Sequence, residues 1–213
     1  MNNNIQEQTK WSENVILVDA DYVDSVAFNL IVNFERMLGR RIPQADFARW
    51  VDCVALDGGL REGAHETLVV LAHRKDKHRL ENFTPGDYAN ELDGKAFKDH
   101  LGEFIISAIP IEEIADGEDY ISEALRLVAV QKEVKRVMVI PNAEDADKYN
   151  KVRETLHRLD DEMLRAGEEA GAQKRMTVFA MQPMAGGNFR QEILGYSLMA
   201  ALGITSDEIN SKS

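Results

Sequence analysis

Five short apolar runs, each bounded by polar residues, constrain the fold of this chain more than any other feature. They are rich in valine and isoleucine, and they cover residues 15–18, 67–72, 104–109, 136–140 and 176–181. Apolar residues in these runs do not alternate cleanly with polar ones, a pattern typical of strands that are buried on both faces of a parallel sheet. We therefore predict a mainly parallel sheet of about five strands.

Helical patterns lie between most of these runs. From Val23 to Leu38, apolar residues recur at steps of three and four, and Gly39 follows as a residue that ends a helix. Further helices are predicted after Pro43 and over residues 120–133, 146–166 and 189–202. Strands that alternate with helices and connect right-handedly give an α/β fold, a three-layer α/β/α sandwich of the Rossmann-like kind.

The 213 residues suit one domain, because a chain of this length can bury a substantial core. Residues 1–12 and 206–213 are polar, so we predict a loose arm and a polar tail around a single α/β domain over residues 13–205. Residues 73–101 are charged and are interrupted by proline and glycine. We interpret them as a long connection with one short helix around residues 88–92 or 95–100, and connections of this length are commonly functional or mobile.

Charge and cysteine content exclude several classes of protein. The net charge of −12 disfavours non-specific coating of DNA, because it repels polyanions unless basic groups gather on one face. The single cysteine, Cys53, forms no internal disulfide, which favours a reducing cytoplasm. The amino-terminal residues lack the features of a signal peptide, and no apolar stretch approaches the roughly 20 residues that span a bilayer. We predict a cytoplasmic protein without membrane contact. The sequence leaves the oligomeric state open, with a homodimer among the alternatives.

Acidic side chains follow two of the predicted strands. Asp19 and Asp21 come directly after the first run, and Glu144, Asp145 and Asp147 come after the fourth. In an open parallel sheet the ligand crevice lies beyond the carboxyl ends of the strands. Carboxylates placed there bind a hard cation, or one acts as a nucleophile while another donates a proton. The structural alternative is that they cap the helices that follow.

A third group of acidic residues follows the run over residues 104–109. It comprises Glu112, Glu113, Asp116, Glu118 and Asp119. We interpret most of them as part of a solvated loop and helix start, with Asp119 as the member that can reach inward.

The residues at these strand ends resemble a family of nucleases. The segment Asp19-Ala20-Asp21-Tyr22-Val23 resembles the opening of the NYN/PIN family, in which an apolar strand ends in aspartate, a small residue and an acidic or polar residue before the first helix. Residues 117–121 resemble the family's acidic residue at the start of a later helix, and residues 145–147 resemble its paired aspartates. The resemblance covers the order of elements from about Asn14 to about Leu202.

This resemblance implies a PIN-like fold and a metal-dependent ribonuclease. By that likeness Asp19, Asp119, Asp145 and Asp147 would hold one or two Mg²⁺ or Mn²⁺ ions, which activate water and stabilise the departing oxygen of a phosphodiester in RNA. We therefore predict that the carboxyl groups of Asp19, Asp145 and Asp147 converge on one crevice, close enough to share a cation.

Several residues depart from the family pattern and imply weakened or lost activity. Tyr22 stands where the family has a smaller polar residue, residues 141–144 replace a Ser-Gly lead, and no obvious acidic residue follows the fifth run. Basic residues that could grip a substrate are present, although such runs are more often simply solvated. They are Arg40, Arg41, Arg74, Lys75, Lys77, His78 and Arg79.

Two other functions stay open. The segment 19–23 also resembles phosphatases of the haloacid dehalogenase kind, which implies that Asp19 attacks phosphorus and Asp21 protonates the leaving group. That mechanism would use Ser107 as a strand-end hydroxyl, Lys132 or Lys135 as the cation and Asp145 on Mg²⁺. The other alternative is a catalytically silent α/β module that binds a partner or a small phosphate ligand through the same crevice.

Overall fold

A seven-stranded sheet with helices on both faces organises the computed structural model, which describes residues 11–112, 119–165, 174–183 and 189–211, with only the backbone for residues 160–165. In chain order the strands are β1 (Asn14–Asp19), β2 (Ala45–Asp46), β3 (His65–Arg74), β4 (Phe83–Thr84), β5 (Ala96–Asp99), β6 (Gly102–Ile111), β7 (Arg136–Ile140), β8 (Arg175–Ala180) and β9 (Arg190–Ile193). The helices are α1 (Ala20–Leu38), α2 (Phe47–Asp57), α3 (Tyr120–Ala129), α4 (Ala146–Arg165), α5 (Leu194–Ala201) and α6 (Ser206–Asn210). None of the described helices is long and apolar enough to cross a membrane.

The strands of the main sheet lie in the order β5-β6-β3-β1-β7-β8-β9. Every neighbouring pair is parallel except β5 with β6. The prediction of an α/β fold with a mainly parallel sheet is confirmed, but the predicted number of about five strands is wrong. The two strands that it missed, β5 and β9, are the sheet edges. Edge strands bury less of their surface, so their polar sequences did not stand out as apolar runs.

Alternate residues of β1 enter two separate hydrophobic cores, one on each face of the sheet. Ile16 and Val18 pack in the core that contains residues of α1, α2 and α5. Val15 and Leu17 pack in the core that contains residues of α3 and α4. Side chains of a strand point alternately to opposite faces, so an unbroken apolar run is what a strand covered on both sides requires.

Helix α1 begins and ends as its sequence indicates. Asp19 caps its amino terminus by accepting a hydrogen bond from the amide of Tyr22 at 3.0 Å. Gly39 ends it with a φ of 66°, and its amide donates to the carbonyl of Glu35 at 2.9 Å. The helix predicted over residues 189–202 is shorter than expected, because residues 190–193 form β9 and α5 begins at Leu194.

Residues 73–101 contain more structure than the long connection predicted from their polar sequence. The short helix predicted around residues 88–92 is confirmed as a π-helical turn over Tyr88–Leu92, and the segment also contains the end of β3 and the strands β4 and β5. Five of their apolar side chains are buried in the core, namely Leu80, Phe83, Tyr88, Leu92 and Leu101. Apolar residues spaced irregularly through polar sequence give no periodic signal, so sequence alone did not reveal this packing.

The ends of the described chain are also packed against the domain. Ser12 is buried, and its hydroxyl donates to the Glu66 carboxylate at 2.8 Å. Helix α6 forms within the segment predicted as a polar tail, and Glu208 in α6 forms an ion pair with Arg40 at 2.7 Å. Residues 1–10 of the predicted arm lie outside the described residues.

The chain changes direction across the sheet between β1 and β7. After β1 it continues through β3 and β6 on one side, and from β7 it continues through β8 and β9 on the other. The loop after β1 and the loop after β7 therefore run in opposite directions from neighbouring strand ends. A crevice opens between these two loops, which is the usual position of a ligand in such a sheet.

Candidate functional site

A crevice of about 830 Å³ opens at this position, beyond the carboxyl ends of the central strands. All four aspartates predicted as site residues line it, namely Asp19, Asp119, Asp145 and Asp147. Three further acidic residues and three basic ones share the lining: Asp21, Glu112, Glu144, Arg74, Lys148 and Lys151. The predicted convergence on one crevice therefore agrees with the geometry.

Asp19 is a largely buried carboxylate of the crevice, with 17% of its side chain exposed. One oxygen caps α1, and the other lies 4.0 Å from Nζ of Lys148. Burial is the main cause that raises the pKa of Asp19; the Tyr22 amide and Lys148 oppose it, while Asp21 and Asp119 add to it more weakly. A positive charge near Asp19 would therefore stabilise its ionised form.

Asp119 and Asp145 cap the two helices on the other side of the crevice. One oxygen of Asp119 accepts hydrogen bonds from the amide and hydroxyl of Ser122 at 2.9 Å and 2.8 Å. One oxygen of Asp145 accepts the amides of Asp147 and Lys148 at 3.1 Å and 3.2 Å. Within the described part of the chain, the second oxygen of each takes no hydrogen bond. The capping alternative is thus realised, and it leaves an oxygen for a ligand.

The four aspartates share the crevice but do not form a compact cluster. Among the described residues, three potential ligand atoms lie within 4.8 Å of one another at Asp52, Asp99 and His100, and at no group of three crevice acids. The part of the prediction that placed the carboxyl groups close enough to share a cation is therefore not met. Each capping aspartate is held by its own helix, which fixes the separation of their oxygens.

Tyr22 forms part of the crevice wall. The residue is 5% exposed, and its buried hydroxyl has no hydrogen-bond partner among the described residues. Burial, followed by the negative charges of Glu144 and Asp19, raises the pKa of Tyr22 above its ordinary value. A buried hydroxyl without a partner is costly, so it favours a ligand that supplies an acceptor. In the sequence the same residue stood out as a departure from the nuclease pattern.

Two nearby aspartates serve the fold more directly. Asp21 lines the crevice, and one of its oxygens accepts the backbone amide of Arg74 at 2.8 Å. Asp24 accepts the amide of Asn82 at 2.8 Å, and burial raises its pKa. Asp24 therefore anchors the segment 73–101 to α1.

Most of the other predicted functional residues lie away from the crevice. Lys132 and Lys135, the cations of the phosphatase mechanism, line a different cavity. Ser107 pairs with Val70 within β6 and not at its end. Arg74 lines the crevice, whereas the other predicted basic residues do not. Lys75, Lys77 and His78 line a third cavity, and the remainder are Arg40, Arg41 and Arg79.

Three acidic residues of the group predicted after residues 104–109 lie outside the described residues, namely Glu113, Asp116 and Glu118. Cys53 is partly exposed, and burial is the main cause that raises its pKa, which disfavours a reactive thiolate.

The cluster of Asp52, Asp99 and His100 makes a separate prediction about stability. Burial, followed by the hydrogen bond to Asp99, raises the pKa of Asp52 to about 7. In the unfolded chain the carboxyl group of Asp52 loses its proton near pH 4, whereas in the folded protein it keeps the proton up to about pH 7. The free energy of unfolding therefore falls as the pH rises from about 4 to about 7. Because the side chain is partly exposed, we expect Asp52→Asn to gain on the order of 1 kcal/mol relative to wild type between pH 5 and pH 8.

Urea unfolding at the two pH values measures this difference. Asp76→Asn removes the same charge from a side chain that is 72% exposed, and serves as the matched control. An equal pH dependence in both variants would contradict the assignment to Asp52.

The fold and the crevice define an α/β protein with an acidic site at the point where a mainly parallel sheet changes direction. The chain belongs to a family of unknown function, DUF6621, whose family model matches residues 8–209. No curated protein and no solved structure matches it.

Proposed function

We propose that the crevice binds Mg²⁺ or Mn²⁺ and hydrolyses a phosphodiester of single-stranded RNA, with Asp19, Asp119, Asp145 and Asp147 as its acidic residues. The observation that carries the proposal is that these four carboxylates, from three separate regions of the chain, line one crevice at the change of direction in the sheet. Carboxylate oxygens are the ligands that hard divalent cations prefer.

The residues of the crevice suit an anionic substrate beside a cation. The cation would supply Lewis acidity and an acidic bound water. Arg74, Lys148 and Lys151 supply positive side chains for phosphate oxygens. The hydroxyl of Tyr22 is available as a further hydrogen-bond donor.

The phosphatase alternative has less support. Its cation was assigned to Lys132 or Lys135 and its hydroxyl to Ser107, and none of these lines the crevice. The second candidate function is the silent binding module. It is favoured by the separation of the crevice carboxylates and by the position of Lys148 beside Asp19, where it already supplies a positive charge.

Melting curves test whether the crevice binds metal. A ligand at about one hundred times its Kd stabilises the folded state by about 2.7 kcal/mol. For a chain of this size we therefore expect Mn²⁺ at that concentration to raise the Tm by about 5 °C or more. Asp19→Asn should abolish the rise, because it removes the charge of a crevice carboxylate of which only 17% is exposed.

Two further variants locate the effect. Asp207→Asn removes a charge from exposed α6 and should leave the metal response intact. Asp99→Asn disrupts the other cluster of potential ligands and should also leave it intact. Loss of the response in Asp99→Asn would transfer metal binding to that cluster, and an unchanged wild-type Tm in millimolar Mn²⁺ would favour the binding module.

A further inference from the structure

A second cavity, the basic cleft, opens at the opposite end of the central strands. It has a volume of about 620 Å³, and the amino ends of β1, β3, β7 and β8 contribute to its wall. Among the described residues, its charged lining contains six lysines and arginines, one histidine and one acidic residue: Arg61, Lys132, Lys135, Arg136, Lys174, Arg175, His65 and Glu13. Such a concentration of positive charge stands out in a chain of net charge −12.

Arg136 lies at the centre of this charge and is only partly satisfied. Its Nη1 donates to the carbonyl of Gly58 at 2.6 Å, but its Nε is buried and has no partner among the described residues. Burial is the main cause that lowers the pKa of Arg136, and the charges of Arg175, Arg61 and Arg190 lower it further. The neighbouring guanidinium groups therefore lower the pKa of Arg136 more than the carboxylate of Glu13 raises it, so repulsion remains between the positive charges.

Gly59 brings two of the guanidinium groups together. Its φ of 90° favours glycine, and a Cβ atom at this position would lie 2.8 Å from Nη1 of Arg136 and 3.2 Å from Nη1 of Arg190. The turn after α2 therefore lets both arginines approach the same backbone. Arg190 also forms an ion pair with Glu192 at 2.7 Å, so its charge is partly offset.

The single acidic residue of the lining cannot neutralise the rest. Glu13 lies 3.2 Å from Nζ of Lys135 and 3.9 Å from Nδ1 of His65. Lys174 donates to the carbonyls of Gln131 and Val134, which fix its ammonium group in place. Arg175 and Lys132 are exposed at the mouth of the cleft.

We propose that the basic cleft binds a compact polyphosphate anion, the di- or triphosphate group of a small ligand. Its volume falls within the range of about 300–1,000 Å³ that is typical of small-molecule sites. One guanidinium group can donate two parallel N–H bonds to two phosphate oxygens. A bound phosphate would give Nε of Arg136 an acceptor, and its negative charge would relieve the repulsion between the neighbouring guanidinium groups. A cleft of this volume holds a compact anion, and a long nucleic acid would extend beyond it.

Inorganic tripolyphosphate in metal-free buffer is the probe, and isothermal titration calorimetry measures its Kd. We expect saturable binding that is at least about tenfold tighter than that of orthophosphate and that weakens with salt. Arg175→Gln combined with Lys132→Gln should weaken binding by about thirtyfold or more, because both changes lie at the exposed mouth and leave the core intact. Arg41→Gln removes an exposed charge elsewhere and should leave the Kd unchanged.

Two further variants separate this site from the acidic crevice. Arg136→Lys keeps the charge but loses the planar donor pair, so we expect weaker binding in a protein that still melts cooperatively. Asp19→Asn should bind tripolyphosphate as wild type does. The proposal is overturned by no binding at millimolar tripolyphosphate, by an unchanged Kd in the double variant, or by tighter binding of a 20-nucleotide RNA that the double variant also loses.

Discussion

Single-stranded RNA should be cleaved by this protein in Mn²⁺, and Asp145→Asn should lower the rate by about a hundredfold or more. One oxygen of Asp145 caps α4, and the other takes no hydrogen bond within the described part of the chain. Asparagine is as good a helix cap as aspartate, so the variant should fold normally and lose only the charged oxygen. A loss of rate would then report on chemistry and not on stability.

Asp21→Asn should retain most of the RNA-cleaving activity. Its carboxylate accepts the amide of Arg74, a bond that the amide oxygen of asparagine can also accept. A fluorescent RNA oligonucleotide under single-turnover conditions measures both variants. Asp207→Asn, purified identically, controls for contaminating ribonucleases, whose activity would persist without Mn²⁺ and would be equal in all preparations.

Two outcomes would change the ranking of functions. Robust hydrolysis of a phosphomonoester that Asp21→Asn abolishes would favour the phosphatase, in which Asp21 donates the proton to the leaving group. Well-folded protein that turns over neither substrate would leave the binding module.

Phe83→Ala should destabilise the protein by about 3–5 kcal/mol. Phe83 is 0% exposed, and its ring centroid lies 5.3 Å from that of Trp50 and 6.4 Å from that of Phe47. The change removes the aromatic contacts and leaves a cavity between β4 and α2. Phe28→Ala makes the same substitution on α1 at a side chain that is 54% exposed, and should cost less than about 1 kcal/mol.

Urea unfolding compares the two variants. The comparison tests whether residues 73–101 are an integral part of the core, because Phe83 belongs to that segment. If Phe83→Ala lowers the free energy of unfolding no more than Phe28→Ala does, residues 73–101 are not part of the core. The prediction of a mobile connection would then be favoured again.

The central strands and the position of the crevice could be predicted because each depends on a local pattern. A strand that is covered on both faces needs an unbroken apolar run, which is visible in the sequence. Aspartates that directly follow two of these runs must lie at the carboxyl edge of a parallel sheet. Sequence could not give the distance between the carboxylates. That distance depends on which carboxylate oxygen accepts the amides of the helix amino terminus and which oxygen is left over, as at Asp119 and Asp145.

Features assembled from distant parts of the chain left no signal in the sequence. Arg61, Arg136 and Arg175 line the basic cleft together although they come from three separate segments of the chain. Asp52 and Asp99 likewise belong to α2 and β5, and they meet because β5 folds back along β6. The edge strands were missed for a related reason, since a strand with one neighbour tolerates polar residues.

The central position of β1 has a consequence for the order of folding. Both of its neighbours come later in the chain, since Asn14 pairs with Thr67 on one side and with Arg136 on the other. Contacts between residues so far apart form slowly, because the intervening chain must lose its freedom before they can stabilise it. Until β7 docks, one edge of the apolar strand β1 stays open to other chains. Asp145 and Asp147, which follow β7, therefore join Asp19 in the crevice at the same step that closes this edge of β1.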